Sequence, residues 1–511
     1  MEGDESLRKI AKGGFIVLLG LVISKLLGYA YRVIVARMGA EQYGLISIGI
    51  ALLGIATTLS VLGLNQGVLR YVSFYKGKEE FSKIKEILVS SFNLIFPLSL
   101  VLAVLLFVFS RWLSVNVFNN EELSLVIKII AIALPFNSIR EVLFNTFKAF
   151  QKVQYEVYSK NILENVLKVL LTIIFFILGF KLLGATLAFT LSIILSFILA
   201  VYYLEKKVFS VLKFKTSRFL NKELVAYSIP LLFSNFIFSL ILWTDTLMIG
   251  YFLPEAQVGI YNAAQPTAFL MFMLPYALLI LFVPILTELY AKHKKEEFRV
   301  VYRTVTKWVF GLNLILLSIF YLFSKDILRI LFGDNYVTAS SSLIVLGTGY
   351  FIGYIASTIQ SLLLVIKKTK IILFNTVIMA VGNILLNIFL IPKYGIVGAA
   401  IATGFIFTIR SVLLTIESIS ITKIIPFKLN YIKIVFSILV VSAIVKYVAR
   451  FYEINIFTLI LTIIFMVILY GGLLLVTRSF EREDAVVIKF VEDKIGINFT
   501  KVNMVLGRFI K

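Results

Sequence analysis

Polar residues along this chain gather in short clusters, and apolar stretches of about 20 to 30 residues run between them. The stretches fall at about 13–36, 44–72, 84–109, 121–149, 158–179, 182–204, 222–250 and 258–290. Six more follow at about 300–323, 337–365, 371–391, 394–418, 430–450 and 454–477. Crossing the bilayer core takes roughly 20 apolar residues in a helix. The pattern therefore predicts an all-α polytopic membrane protein of about 14 transmembrane helices. An even count puts both termini on one side. The residues before Gly13 are too polar, and the run after it too long, for a cleaved secretory leader, so the first run is read as a retained helix.

Charge then orients the helices. One set of alternate connections holds Arg8, Lys9 and Lys12, then Lys76, Lys78, Lys83 and Lys85, then Lys152 and Lys160. It continues through the basic link from Lys206 to Lys222, the cluster around Lys292–Arg303, Lys367–Lys370, Lys423–Lys433 and the tail. The other set carries only Arg37, Arg111, Lys181, Lys325, Arg329, Lys393 and Arg450. By the positive-inside bias both termini are expected in the cytoplasm, with the chain in the cell membrane. The same bias accounts for the net charge of +22, which in a soluble chain would have raised nucleic-acid binding. There is no cysteine and one histidine, His293 in a charged connection, so thiolate metal sites are excluded and no metal site is expected. No phosphate-binding loop marks an ATPase, and the short connections leave no room for a soluble catalytic domain, so the chain is not read as an enzyme.

Shifted against itself by 214–215 residues, the chain repeats. "IVARMGAEQYGLISIG" from Ile34 lies over "IGYFLPEAQVGIYNAA" from Ile249, with Gln42 on Gln257 and Gly44 on Gly259. In the same register Asn161 meets Asn375, Gly184 meets Gly398 and Ala185 meets Ala399. Six helices per unit give both repeats the same orientation, as in transporters built from parallel repeats that rock about a central site. The expected organisation is a lobe over 1–215, a second over 216–425, two further helices over 426–478 and a basic, amphipathic tail over 479–511. Pro266, Pro275 and Pro284 in the eighth run each remove a helical hydrogen bond and predict bends there.

A charged side chain at the bilayer centre costs at least about 2.5–3.5 kcal/mol, so those inside the runs are candidate functional groups. Lys25 lies about 18 Å along the first helix, near the midplane. Arg32 follows two turns later on the same face. The fourth run carries Arg140 and Glu141, and the fifth a polar stripe of Asn161, Glu164, Asn165 and Lys168. Glu164 and Lys168 are spaced to neutralise each other. The seventh run carries Asp245, which the repeat register sets two residues from Arg32; a pair between them, broken by an anionic substrate or a cation, is expected in one conformational state. Asp245, Glu164 and Glu141 are the candidates for coupling or gating. The second lobe adds Glu288, Arg410 and Glu417 towards the ends of their spans and an amide set of Gln265, Gln360, Asn375, Asn383 and Asn387. Cations on one wall and amides elsewhere suit a lipid whose head group combines phosphate with sugar hydroxyls.

The opening "GLVISKLLGYAYRVIVARMGAEQYGLISIG", together with "GLNQGVLRYVS" from Gly63 and "YGIVGAAIAT" from Tyr394, resembles the polysaccharide-transport branch of the multidrug/oligosaccharidyl-lipid/polysaccharide exporter superfamily. The resemblance covers the membrane region to about Thr477. It implies a V-shaped bundle that flips polyprenyl-phosphate- or pyrophosphate-linked oligosaccharide from the inner to the outer leaflet by alternating access, with cationic cavity residues on the lipid phosphate. Lys25 and Arg32 occupy that kind of place, with Arg140, Lys168 and, at the inner end of the second run, Arg70 as further members. The implied partners are the glycan lipid, membrane lipids and glycosyltransferases or polymerases of the same pathway, with no nucleic acid, and the chain is expected to be a monomer. No cofactor is implied, and coupling to H+ or Na+ stays open. Two relatives compete: lipid II flippases, which share fourteen helices and a cationic cavity, and cation-coupled drug exporters, which usually have twelve helices and an acidic cavity, represented here by Asp245 alone.

Overall fold

The computed structural model describes residues 23–213, 220–366, 368–425, 429–481 and 484. The polar entry to the first run, the link at 214–219 and the tail beyond residue 484 lie outside them, and with them the expected amphipathic tail. Every regular element among the described residues is helical. Up to Asn262 the chain forms one compact unit. It holds α1 (23–38), α2 (Ala40–Val61), α3 (Leu64–Gly77), α4 (Phe81–Val108) and α5 (Leu123–Ala149). There follow α6 (Asn165–Ile177), entered through a π-helical stretch at Val157–Glu164, then α7 (Lys181–Tyr203), α8 (Lys222–Phe252) and most of α9 (Glu255–Ala268). The second unit, from Ala263, holds α10 (Met273–Ala291), α11 (Lys295–Leu331) and α12 (Ser340–Val365). A continuous run from Thr369 to Thr422 breaks at Gly395, φ 59°, into α13 (369–394) and α14 (396–422). Then come α15 (Asn430–Val448) and α16 (Ile456–Val476).

This sequence of elements fits the apolar runs, with two refinements. The second run is two helices, α2 and α3, because Leu62 and Gly63 both adopt left-handed backbone, φ 53° and 70°. A Cβ at Gly63 would lie 2.5 Å from the Ser228 carbonyl oxygen, so α8 fills the notch that the break opens. The eighth run is likewise interrupted, by a 3-10 turn at Phe269–Phe272 that follows Pro266. Nine helices among the described residues are long and apolar enough to cross a membrane by length and composition. Phe96, Val104, Phe233, Phe389 and Leu461 point outward and exposed, as on a surface that faces lipid, while backbone polar groups are satisfied within the helices. His293 sits exposed, with φ 56°, in the turn between α10 and α11.

The self-alignment reappears in space within the first unit. A Cβ on Gly44 would lie 1.9 Å from the Glu255 carbonyl oxygen, and a Cβ on Gly259 would lie 1.9 Å from the Ala40 carbonyl oxygen. Ala40 and Glu255 stand in the same 215-residue register as Gly44 and Gly259. Each backbone therefore presses on the glycine of the other in the reciprocal way that a two-fold axis produces. Only glycine permits so close an approach of two helices.

In the second unit, the chain just past α16 folds back onto α11. The Lys307 ammonium, buried, meets the Asp484 carboxylate at 2.5 Å, and Trp308 Nε1 donates to the same carboxylate at 2.8 Å. The Glu481 amide also donates to Asp484, at 2.6 Å, and Asn430 at the start of α15 donates to the Glu481 side chain. These bonds fasten α11, α15 and the exit of α16 together.

Gly44→Ala and Gly259→Ala are each expected to cost about 1–3 kcal/mol, the usual penalty of overpacking, against no change for Gly77→Ala, which has open space around it. Thermal unfolding of the detergent-solubilised variants checks this.

Candidate functional site

The polar stripe on the fifth passage becomes the centre of a network in the first unit. The π-helical stretch ends at Glu164, a local underwinding that is frequent at functional sites. Glu164 accepts from Arg140 Nη1 at 2.6 Å through one oxygen and from Lys168 Nζ at 3.1 Å through the other. All three are buried; Arg140 and Lys168 are 4% and 8% exposed. Arg140 Nε donates to Asn137 Oδ1 at 2.9 Å, and Asn137 Nδ2 passes the connection to Thr57 Oγ1 on α2 at 2.8 Å. Lys168 also lies 4.8 Å from the Phe189 ring centroid on α7 and 5.6 Å from that of Tyr31 on α1, within cation–π range. Five passages thus converge on one carboxylate. Beside it, Lys160 donates to Glu141 at 2.7 Å, so Glu141 is also engaged by a cation.

The first helix is tied to this network at its side. Asn165 Nδ2 donates to Ser24 Oγ at 3.1 Å, next to Lys25, which stands exposed on α1. Arg32, two turns on and partly exposed, donates from Nη1 to the Tyr43 hydroxyl at 3.3 Å. Tyr43 in turn donates to the Asn262 carbonyl oxygen at 2.9 Å, and Asn262 Nδ2 donates to Thr246 Oγ1 at 3.3 Å. Asp245, the neighbour of Thr246, is fully buried and accepts from the Tyr261 hydroxyl at 2.5 Å. Arg32 and Asp245 are therefore not a direct pair in this conformation. They are joined through Tyr43, Asn262 and Thr246, across the same helices whose glycines cross at Gly44 and Gly259.

Of the residues singled out in the sequence, Arg140, Lys168 and Glu164 come together, as do Glu141 and a lysine that had been read only as a connection residue. Lys25 and Arg32 share a helix and flank the anchoring contacts of that helix. Arg70 stands apart. It is exposed at the far part of α3, its guanidinium 4.4 Å from the Tyr227 ring centroid on α8. Tyr43, Tyr261, Asn262 and Asn137 complete the site, and no sequence pattern marks them; Tyr43 is adjacent to the repeat glycine and would have been found only through it. Among the described residues no group of histidine, cysteine or carboxylate side chains is arranged to hold a metal.

The fold and the charged network inside it define a membrane protein of many helices with matched charges in its interior. The chain belongs to the polysaccharide biosynthesis protein family, whose model matches residues 10–290, and with it to the polysaccharide-transport branch of the exporter superfamily that the sequence resembles. A MatE family model matches residues 230–389. A Shigella flexneri protein named as an O-antigen transporter is 24% identical over 394 residues, covering 75% of this chain and 92% of that one. A Haloferax volcanii protein named as a low-salt glycan biosynthesis flippase, Agl15, is 28% identical over 174 residues, 34% of this chain and 36% of that protein. The chain thus matches only about a third of that relative's length. The solved structure of the lipid II flippase MurJ in an inward closed conformation shares the fold, with a TM-score of 0.71 at 18% identity over 89% of this chain and 97% of that one.

Removing the central carboxylate leaves two buried cations facing each other. Glu164→Gln is expected to destabilise the protein by about 3–5 kcal/mol, read as denaturant or thermal unfolding in detergent. Replacing Arg140, Glu164 and Lys168 together by apolar residues of similar volume is expected to recover most of that loss.

Proposed function

We propose that this chain is a flippase that carries a polyprenyl-phosphate- or pyrophosphate-linked oligosaccharide from the inner to the outer leaflet by alternating exposure of one site. The observation that carries the reading is the division of labour among the cations. The buried Arg140 and Lys168, and the partly exposed Lys160 beside them, are matched to Glu164 and Glu141. Arg32, partly exposed on the first helix, meets only a tyrosine hydroxyl among the described residues and keeps its charge for a ligand. Lys25 is exposed on the same helix two turns away. A phosphate or diphosphate is the anion that such a pair receives through charge-assisted hydrogen bonds. The family and the names of the O-antigen and glycan relatives support the same cargo. A lipid II-type glycolipid falls within the same chemical class.

In this reading the lobes over 1–215 and 216–425 rock against each other, both termini face the cytoplasm, and the chain works as a monomer beside the enzymes that build and polymerise the glycan. The glycine crossing at Gly44 and Gly259 must loosen when the site changes sides. Asp245, held by Tyr261 and linked through Thr246 and Asn262 towards Arg32, is the seat of coupling to H+ or Na+, since a buried membrane carboxylate is the usual place for such an ion.

Binding to nanodisc-embedded protein tests the cargo. A polyprenyl-pyrophosphate oligosaccharide is expected to bind, and Arg32→Gln or Lys25→Gln to weaken it tenfold or more, about 1.4 kcal/mol. A protein that binds a lipophilic drug cation instead, indifferent to both substitutions, is a different transporter. For the coupling, Asp245→Asn is expected to keep glycolipid binding while transport in proteoliposomes no longer responds to an imposed proton or sodium gradient; a gradient response equal to wild type removes Asp245 from that role.

A further inference from the structure

The second unit contains a membrane cation that the network above does not use. Arg410 lies on α14, held against α12 by an unusually close packing of the two helices. A Cβ on Gly349 would lie 2.2 Å from Gly404 Cα, and one turn on a Cβ on Gly353 would lie 2.7 Å from the Phe407 ring. Ser411 Oγ then donates to the Ile352 carbonyl oxygen at 2.8 Å. This framework fixes the azimuth of α14 and aims Arg410 at α12, where it finds one acceptor, the side-chain amide oxygen of Gln360. Its Nε is buried and has no hydrogen-bond partner, yet the residue as a whole is partly exposed.

That arrangement is anomalous by the standard of the rest of the molecule. Buried cations elsewhere take carboxylates: Arg140 and Lys168 take Glu164, and Lys307 takes Asp484, while the partly exposed Lys160 takes Glu141. The carboxylate two turns along α14 from Arg410 is Glu417, and it is engaged by Asn375 Nδ2 at 2.6 Å. Among the described residues no carboxylate stands at ion-pair distance from Arg410. A guanidinium carries five N–H donors, and an amide oxygen satisfies one of them without neutralising the charge. Withdrawing a cation from water with so little compensation is costly unless an anion arrives to complete it. Beside it, Phe272, Tyr350, Tyr354 and Phe407 stack edge to face with ring centroids 4.1–5.9 Å apart, an apolar aromatic surface next to the charge.

We propose that Arg410, with Gln360, is an anion-binding site in the second unit, built for a phosphate or diphosphate. The planar fork of the guanidinium matches two phosphate oxygens, and the Gln360 amide nitrogen offers a further donor. The proposal rests on the reading that the cargo is an anionic lipid, but it places a second phosphate-binding group in a different unit from Lys25 and Arg32. A lipid head group and a free phosphate present the same chemistry to it.

The experiment uses the full chain in nanodiscs of neutral lipid, in a background carrying both Lys25→Gln and Arg32→Gln so that the first-helix cations do not contribute. Farnesyl diphosphate and inorganic pyrophosphate are the probes, and stabilisation against heat is the readout. Farnesyl diphosphate is expected to raise the unfolding temperature. Arg410→Gln is expected to raise its half-saturating concentration at least tenfold. Gln360→Glu supplies the missing carboxylate from inside: it is expected to raise the unfolding temperature without ligand and to weaken the probe at least as much. A purely structural arginine would gain stability from Gln360→Glu without any change in probe binding, and that outcome overturns the proposal. So does a background that neither probe stabilises, while loss of glycolipid binding on Arg32→Gln in the wild-type chain would leave the transport reading standing. Conversely, an Arg410 effect with Arg32→Gln silent towards the glycolipid keeps this site and removes the observation on which the transport reading stands. Saturation by pyrophosphate as tight as by farnesyl diphosphate identifies a free anion; preference for the prenyl compound identifies a lipid head group.

Discussion

A charge that leaves water for the interior of a membrane must bring its compensation with it, and the first unit is organised around that requirement. Glu164 sits between Arg140 and Lys168, and the groups around those two cations draw in three further helices, α1, α2 and α7. The carboxylate sets the rotation of α5 and α6 about their axes, because either helix turned by one residue would strand a cation in hydrocarbon. Counting Lys160 and Glu141, three cations meet two carboxylates, so even the neutralised part of the unit keeps a positive bias. A buried ion group of this kind contributes little net stability compared with apolar packing; its worth lies in fixing one arrangement against others.

The cations that are not so matched stand out against that background. Arg32 rests on the Tyr43 hydroxyl and Arg410 on the Gln360 amide, each polar enough to orient a guanidinium and neither able to neutralise it. The difference between a cation that organises the fold and one proposed to receive a ligand is visible only after the pairs are subtracted. Sequence position does not separate them: Arg140 and Arg410 are both arginines within apolar runs, and only Arg140 has a glutamate across the helix gap.

The architecture was largely legible in the sequence because the bilayer dictates run length, and run length survives almost any local rearrangement. The repeat was legible for a related reason: Gly44 and Gly259 cannot be replaced without forcing two backbones apart, so they remain as markers of the crossing. The breaks were less so. Leu62 is an ordinary apolar residue with left-handed backbone, and in the run from 44 to 72 Gly63 beside it is one glycine among several. The i,i+4 relation of Glu164 and Lys168 was readable from spacing, whereas Arg140, Asn137 and Thr57 join them across helices whose relative rotation a linear pattern does not contain. The expected pair of Arg32 with Asp245 was close in register, but two hydroxyls and an amide intervene because the helices that carry them are separated by the second passage.

The attachment of Asp484 to Lys307 has a consequence for how the protein is made. The two residues lie 177 positions apart, and the lysine is synthesised first. Until the ribosome has delivered the segment beyond α16, α11 must be held in or beside the membrane with an uncompensated ammonium. Its partners α15 and α16 are themselves not yet inserted at that time. Assembly of the second unit is therefore completed from its far end, and the ninth passage depends on the insertion machinery for shelter through most of the remaining translation. A chain stopped or fused ahead of Asp484 would carry every helix from α1 to α16 and still lack the counter-charge that lets α11 settle.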